Sequence, residues 1–127
     1  MKENNQIVID SKNYAIRIIK LYKYLNDVKK EFVMSKQILR SGTSIGANIS
    51  ESVFAQSRQD FVSKLSISLK EASETKFWLE LLHETDFISE AQFNSLNDDN
   101  SKLIGTLVNI INSTKNNNNV YCLMFNV

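Results

Sequence analysis

The chain's only histidine, His83, follows Glu80 by three residues. This Glu-x-x-His spacing places two metal ligands on one face of a helix in di-iron bundles, but such a centre needs two motifs and two further carboxylates. One chain supplies a single motif, so a metal centre would require a symmetric dimer. We favour the alternative of a partly exposed histidine near a helix end, where the negative end of the helix dipole stabilises it. The sequence therefore predicts no bound metal and no cofactor.

Two glutamates, Glu71 and Glu74, lie three residues apart and would share one helix face. Paired carboxylates can serve as general acid and base, but ordinary contacts at the edge of a helix explain this pair better. The only cysteine, Cys122, is separated from His83 by a predicted helix and an asparagine-rich linker, so we propose no Cys/His or Ser/His/Asp arrangement. We predict no catalytic residues and no enzymatic activity, and we identify no small-molecule substrate.

Basic residues are concentrated in the first third of the chain. Residues 1–40 contain nine Lys and Arg against four acids, a net charge of +5, and residues 41–127 contain six against ten, a net charge of −4. Such charges can simply solvate helix faces, but lysines interleaved with tyrosines can also bind single-stranded RNA. Tyr22 fits a core stripe, which leaves Tyr24 as the exposed aromatic candidate. The candidate nucleic-acid-binding residues are Arg17, Lys20, Lys23, Tyr24, Lys29 and Lys30.

Four segments must position these residues, and each shows apolar side chains at steps of three and four, the pattern of an amphipathic helix. Proline is absent. Short connections force consecutive helices to lie antiparallel. The sequence predicts an all-α, up-down-up-down four-helix bundle over residues 1–115, followed by an asparagine-rich tail over 116–127. The predicted helices run from about Ser11 to Lys29, from about Val33 to Ala55, from a Ser57 cap to about Glu84, and from a Ser89 cap to about Thr114.

Helix starts carry recognisable polar signals. Asp10 or Ser11 is a candidate cap for the first helix, and Ser57 for the third. Ser89 and Gln92 form a Ser-x-x-Gln capping box at the fourth. Along the first helix, we expect one core stripe that consists of Tyr14, Ile18, Leu21, Tyr22, Leu25 and Val28.

The second helix contains Gly42 and Gly46, one turn apart. A helix-interior glycine costs about 1 kcal/mol relative to alanine, so we expect another helix to approach closely here. Phosphate binding is less favoured because no strand precedes the pair. Asn48 and Glu51 border this face and would either fix register through hydrogen bonds or contact a partner.

The third helix carries a second apolar stripe beside its core stripe, which predicts a surface for a partner. This second stripe and the small-residue face of the second helix together contain the residues that we predict for helix packing and oligomer contacts. These are Gly42, Ile45, Gly46, Asn48, Ile49, Glu51, Ile67, Trp78 and Leu81.

Two segments give the chain a recognisable signature: "SIGANISE" at 44–51, and "DFVSKL" followed by "KEASET" within 60–75. Together with "AIRIIKLYKYL" at 15–25, they resemble the four-helix-bundle protein family encoded in intervening sequences of bacterial 23S ribosomal RNA genes. The resemblance covers about residues 10–114. It implies a left-handed bundle that commonly forms a homopentamer around a central channel, and it implies no established reaction. A relative in diversity-generating retroelements is a strongly basic pentamer that partners a reverse transcriptase and its RNA.

Composition limits the cellular location and the class of protein that we expect. A single cysteine cannot form an internal disulfide and no secretion signal is visible, so we expect a cytoplasmic protein. No run approaches the ~20 apolar residues of a membrane span. The expectation is a non-enzymatic homo-oligomer, with a pentamer favoured, that acts as a nucleic-acid or ribonucleoprotein accessory. The alternative is a structural scaffold that binds a protein partner.

Overall fold

The computed structural model describes residues 2–116, with side chains from residue 6 onward. These residues contain no strand and form four helices. Asn116 of the predicted tail is the last residue of the fourth helix, and the rest of that tail, including Cys122, lies outside the described residues. The helices are α1 (Lys2–Asp27), α2 (Met34–Ser52), α3 (Arg58–Glu84) and α4 (Glu90–Asn116).

Each helix packs against its two neighbours in a ring, in the order α1, α2, α3, α4 and back to α1. Buried hydroxyl contacts show the direction of α2 and α3. Ser68 Oγ donates to the carbonyl of Ile45 at 2.8 Å, and Thr75 Oγ1 donates to Ser41 Oγ at 2.9 Å. Residue numbers rise along α3 as they fall along α2, so the pair is antiparallel. The predicted all-α four-helix bundle is confirmed.

The start of α1 differs from the prediction. The helix begins at Lys2, and Ser11 is buried within it, with its Oγ donating to the carbonyl of Val8 at 3.2 Å. Ile7 is buried one turn earlier and extends the core stripe. Neither Asp10 nor Ser11 is therefore the helix cap. Ser11 is a small residue at a helix crossing, because its backbone faces Gly46 of α2.

Two other predicted caps are confirmed. The Asp60 N–H donates to Ser57 Oγ at 3.0 Å. At α4, the Gln92 N–H donates to Ser89 Oγ at 3.1 Å while the Ser89 N–H donates to Gln92 Oε1 at 2.8 Å, the reciprocal pattern of a capping box. These local contacts fix the starts of α3 and α4.

The core lies along the bundle axis and includes polar groups that are hydrogen-bonded. Tyr14 is buried, and its hydroxyl donates to the carbonyl of Leu96 at 3.1 Å. Asn100 Nδ2 donates to the carbonyl of Ala72 at 2.9 Å. Burial raises the pKa of Tyr14 above its ordinary value, because the phenolate would lose its hydration. The predicted core residue Val28 is instead exposed, because α1 ends one residue before it.

Candidate functional site

The basic residues predicted on α1 do not form one continuous face. Arg17 connects α1 to α4: its Nη1 lies 2.7 Å from Asp99 Oδ2, and its Nη2 donates to Ser95 Oγ at 2.8 Å. Arg17 therefore has protein partners already. Lys20 and Lys23 are exposed.

Neither tyrosine lies where the sequence predicted it. Tyr24 is half-buried and packs against the hydrophobic core, whereas Tyr22 is half-buried rather than part of the buried stripe. The buried stripe runs through Ile18, Leu21 and Leu25, and both tyrosines flank it. Tyr24 follows Leu21 by one helical turn and lies against α4, a contact that helix periodicity alone does not reveal.

A groove between α1 and α4 brings three of the candidates together. It has a volume of about 380 Å³ and is lined by Arg17, Lys20 and Tyr24 with apolar and amide neighbours from both helices. Lys23, Lys29 and Lys30 do not line it. The structure therefore places Arg17, Lys20 and Tyr24 at the groove. Lys23 is elsewhere on the exposed surface of α1, and Lys29 and Lys30 are in the loop after α1.

A buried carboxylate connects the loop between α1 and α2 (residues 28–33) to the start of α2. Glu31 Oε1 accepts the N–H of Ser35 at 2.7 Å, and Oε2 accepts those of Val33 and Met34 at 3.2 and 3.1 Å. The Glu31 N–H donates to the carbonyl of Leu25 at 2.9 Å. A carboxylate at the positive end of a helix dipole stabilises the helix start. The side chain of Glu31 therefore caps α2 from two residues before the N-cap position, which Val33 occupies.

Three apolar side chains of this loop face solvent. Val28 is 62% exposed, Phe32 51% and Val33 74%. Lys29 and Lys30 lie between them and are exposed as well, and Lys30 has a positive φ of 56°. Sequence reasoning passed over Phe32. Its signal is the string "KKEFV", in which an aromatic residue follows two lysines in a short connection.

The glycines of α2 lie where α1 approaches. A Cβ on Gly42 would be 2.7 Å from Ile18 Cγ1, and one on Gly46 would be 3.1 Å from the Ser11 carbonyl oxygen. Ile45 and Ile49, between and beyond the glycines, are fully buried. This face of α2 is therefore a packing surface.

The polar residues beside that face make local contacts. Asn48 is half-buried, and its Nδ2 donates to the Ser44 carbonyl of its own helix at 2.8 Å. Glu51 is exposed and lies 3.7 Å from Lys64 Nζ of α3. The buried polar contacts between α2 and α3 come from Ser41, Ser68 and Thr75, which the sequence analysis did not single out.

The outer face of α3 is partly apolar. Ile67 and Phe77 are exposed, and Trp78 and Leu81 are half-buried. Trp78 also packs against the core, and its ring meets Phe77 edge to face with centroids 5.1 Å apart. We call Ile67, Phe77, Trp78 and Leu81 the α3 outer stripe.

Glu71 and Glu74, at the edge of this stripe, both bind Arg40 of α2. Trp78 Nε1 donates to Glu74 Oε2 at 2.9 Å. Hydrogen bonds from Trp78 and Arg40 hold the pKa of Glu74 below its ordinary value, and the bond to Glu74 raises the pKa of Arg40. A general acid at neutral pH needs a raised pKa, and the pKa of Glu74 is shifted in the opposite direction.

His83 is half-buried and stacks on Phe93 of α4, with ring centroids 4.8 Å apart. Among the side chains of residues 6–116, no three His, Cys, Asp or Glu come together as a metal site. None of the four described helices is long and apolar enough to cross a membrane.

The similarity to known proteins extends over nearly the whole bundle. Residues 3–109 match the family model described as 23S rRNA-intervening sequence protein. A crystal structure of a protein with unknown function from the S23 ribosomal protein family of Bacteroides thetaiotaomicron VPI-5482 is 54% identical and superposes with a TM-score of 0.86. The match covers 87% of this chain and 98% of that one. No curated protein matches the chain.

Proposed function

Because the chain belongs to the 23S rRNA-intervening sequence protein family, we propose that it is a non-enzymatic homo-oligomer that serves as a nucleic-acid or ribonucleoprotein accessory in the cytoplasm. One observation carries the proposal: Lys20, Lys23, Lys29 and Lys30 are all exposed, and in the described part of the chain none of them forms an ion pair. Nucleic-acid phosphates are natural counter-ions for such lysines.

Assembly would multiply this modest charge. We propose a homopentamer in which the α3 outer stripe is covered by the neighbouring copy, since Ile67 and Phe77 otherwise leave apolar surface in water. A ring of five protomers would present the four lysines five times. Linked weak sites bind a polymer more tightly than one site does, because later contacts are intramolecular.

The test is the salt dependence of binding to a labelled single-stranded RNA, measured by fluorescence anisotropy. Each phosphate contact contributes about −0.7 to the slope of log K against log salt for single strands. Changing Lys20, Lys23, Lys29 and Lys30 together to Gln should make the slope shallower by up to about 3 for each protomer that the RNA contacts. The matched control changes four other exposed lysines, so that the net charge is equal: Lys12, Lys76, Lys102 and Lys115.

Equal losses of RNA affinity in both quadruple variants would mean that binding depends on net charge and not on these four lysines. Binding that is absent, or indifferent to salt, would overturn the proposed function. Light scattering at low and high salt reports assembly in parallel, and a pentamer should have a mass of about five times 14.6 kDa.

The second candidate is a structural scaffold whose oligomer, assembled through the α3 outer stripe, presents a surface to a protein partner. In that case the oligomer should be indifferent to salt and free of nucleic acid. Trp78→Asp should dissociate the oligomer with helicity largely kept. Loss of helicity instead would assign Trp78 to the protomer core, against which its ring also packs.

A further inference from the structure

We infer that the loop between α1 and α2 is a contact for single-stranded nucleic acid, in which Phe32 stacks on a base while Lys29 and Lys30 bind neighbouring phosphates. The inference rests on the proposed function and deepens it. It names the strandedness of the partner and an aromatic residue outside the basic set that the sequence predicts.

The first support is the chemistry of the exposed side chains. Phe32 lies two residues after Lys30 and shows about half of its surface to solvent, with the exposed Val33 beside it. Single exposed apolar residues are common, but here three of the six loop residues are large, apolar and exposed, and two more are lysines. Aromatic faces next to lysines are what proteins use to stack bases and bind phosphates on one strand.

The second support is the fixed geometry of the loop. Glu31 points inward, where its carboxylate accepts three backbone N–H groups of the α2 start. Phe32 is thereby held outward, so a base that stacks on it pays little for ordering the protein. The same bonds occupy the N–H groups of the helix start. Lys29 and Lys30 are therefore the phosphate-binding groups that the loop itself offers.

The third support is the charge around the loop. Asp27 and Lys36 are exposed on either side of Lys29 and Lys30, and the carboxylate of Glu31 is buried and hydrogen-bonded. The loop therefore presents a net positive charge. At the same end of the bundle, three acids are exposed: Glu84 at the end of α3, Asp86 in the connection that follows, and Glu90 at the start of α4. A strand would follow the α1–α2 edge and avoid the α3–α4 edge.

The partner must be single-stranded, because the bases of a duplex are stacked on each other and offer no free face to Phe32. An acidic peptide would satisfy the lysines but would not depend on a flat aromatic ring. That difference makes the two partners separable by experiment.

The experiment measures binding of the full chain to a labelled oligouridine of about 12 nucleotides, within the site sizes of single-strand binders, and to an abasic oligomer of equal length. Phe32→Ala should weaken binding of oligouridine by about 5- to 150-fold, the range for loss of one stacked base, and leave the salt slope unchanged. It should not affect the abasic oligomer. Phe32→Tyr, which keeps the ring, should restore binding.

Two control variants separate the contributions. Phe54→Ala removes a more exposed phenylalanine, 84% exposed, beyond the other end of α2, and should leave the affinity unchanged. Lys29→Gln with Lys30→Gln should make the salt slope shallower by about 1.4 for both oligomers. Circular dichroism and light scattering of each variant establish that fold and assembly are intact.

The outcomes distinguish this inference from the function beneath it. Salt-dependent binding that Phe32→Ala leaves unchanged would overturn the stacking contact and keep the accessory function. Equal weakening on oligouridine and on the abasic oligomer would also overturn stacking. A changed solution mass in Phe32→Ala would assign the loop to contacts between copies. No binding by the unaltered chain would overturn both.

Discussion

The two flanks of α1 are built differently. On the α2 side, Gly42 and Gly46 let the helices approach until an added Cβ would lie 2.7 to 3.1 Å from the opposite helix. On the α4 side, three depressions of about 370, 380 and 190 Å³ line the junction, whereas the α2 side has one, of about 380 Å³, beside Gly46. We call these flanks the α1–α2 seam and the α1–α4 seam.

The two seams fix the position of α1 in different ways. Close packing at Gly42 and Gly46 leaves little room for an added side chain that points at α1, because interiors transmit small volume changes as strain. The α1–α4 seam depends on a few directed contacts, made by Tyr14 and Arg17, with open space between them. Substitutions should therefore cost more free energy of unfolding in the first seam than in the second.

The largest effect is expected from Gly42→Val. The new side chain would overlap Ile18, which is fully buried and stiff at χ1, so the free energy of unfolding should fall by about 3 kcal/mol. Urea denaturation at fixed protein concentration measures it. Gly105→Ala is the control: nothing lies within 4 Å of the added Cβ, so better helix propensity should raise stability by up to about 1 kcal/mol.

Equal effects of the two glycine substitutions would break the comparison. They would mean that Ile18 moves aside at little cost and that the α1–α2 seam tolerates added volume.

A smaller effect is expected in the α1–α4 seam from Tyr14→Phe. The change removes the 3.1 Å hydrogen bond to the Leu96 carbonyl but keeps the buried ring. The free energy of unfolding at neutral pH should fall by about 1 kcal/mol, the net value of one such bond. A loss as large as that of Gly42→Val would show that this seam is equally intolerant. The measurement is again urea denaturation, at pH 7.

Alkaline pH gives the same substitution a second readout. The pKa of Tyr14 is raised by burial and by Asp99, and Arg17 opposes the shift. A raised folded-state pKa means that its contribution is complete below the unfolded pKa of about 10 and is lost as pH rises above it. Unaltered protein should therefore lose stability above about pH 10 more steeply than Tyr14→Phe does. Parallel pH profiles of the two proteins would contradict the assignment.

The sequence predicts a contact well when the two residues are close together in the chain, and poorly when they are on different elements. Ser57, Ser89 and Gln92 cap helices through contacts within four residues, and the sequence identifies all three. Ser11 is wrongly predicted as a cap. Its actual contact, with Gly46, is on another helix and leaves no signal in the neighbouring sequence. Glu31 caps α2 from outside the usual cap position, where no simple spacing rule points to it.

The candidate site was less predictable than the fold for the same reason. Helix periodicity places Lys20 and Lys23 on outer faces, and they are exposed. The surroundings of Tyr24 depend on α4, which approaches one flank of α1, and periodicity gives no distance to a neighbouring helix. Phe32 belongs to no periodic pattern at all, so its exposure follows only from the loop conformation that Glu31 sets.

The smallest effect is expected at the ion pair of Arg17 and Asp99. Both side chains keep about two-fifths of their surface in water, 38% and 43%, so solvent screens the 2.7 Å contact. A double-mutant cycle with Arg17→Gln and Asp99→Asn should give a coupling free energy of about 0.5 kcal/mol that falls as salt is added. Arg17→Gln alone should cost slightly more, because it also removes the bonds to Ser95. A coupling above about 2 kcal/mol, insensitive to salt, would mean that directed contacts fix the α1–α4 seam as firmly as close packing fixes the α1–α2 seam.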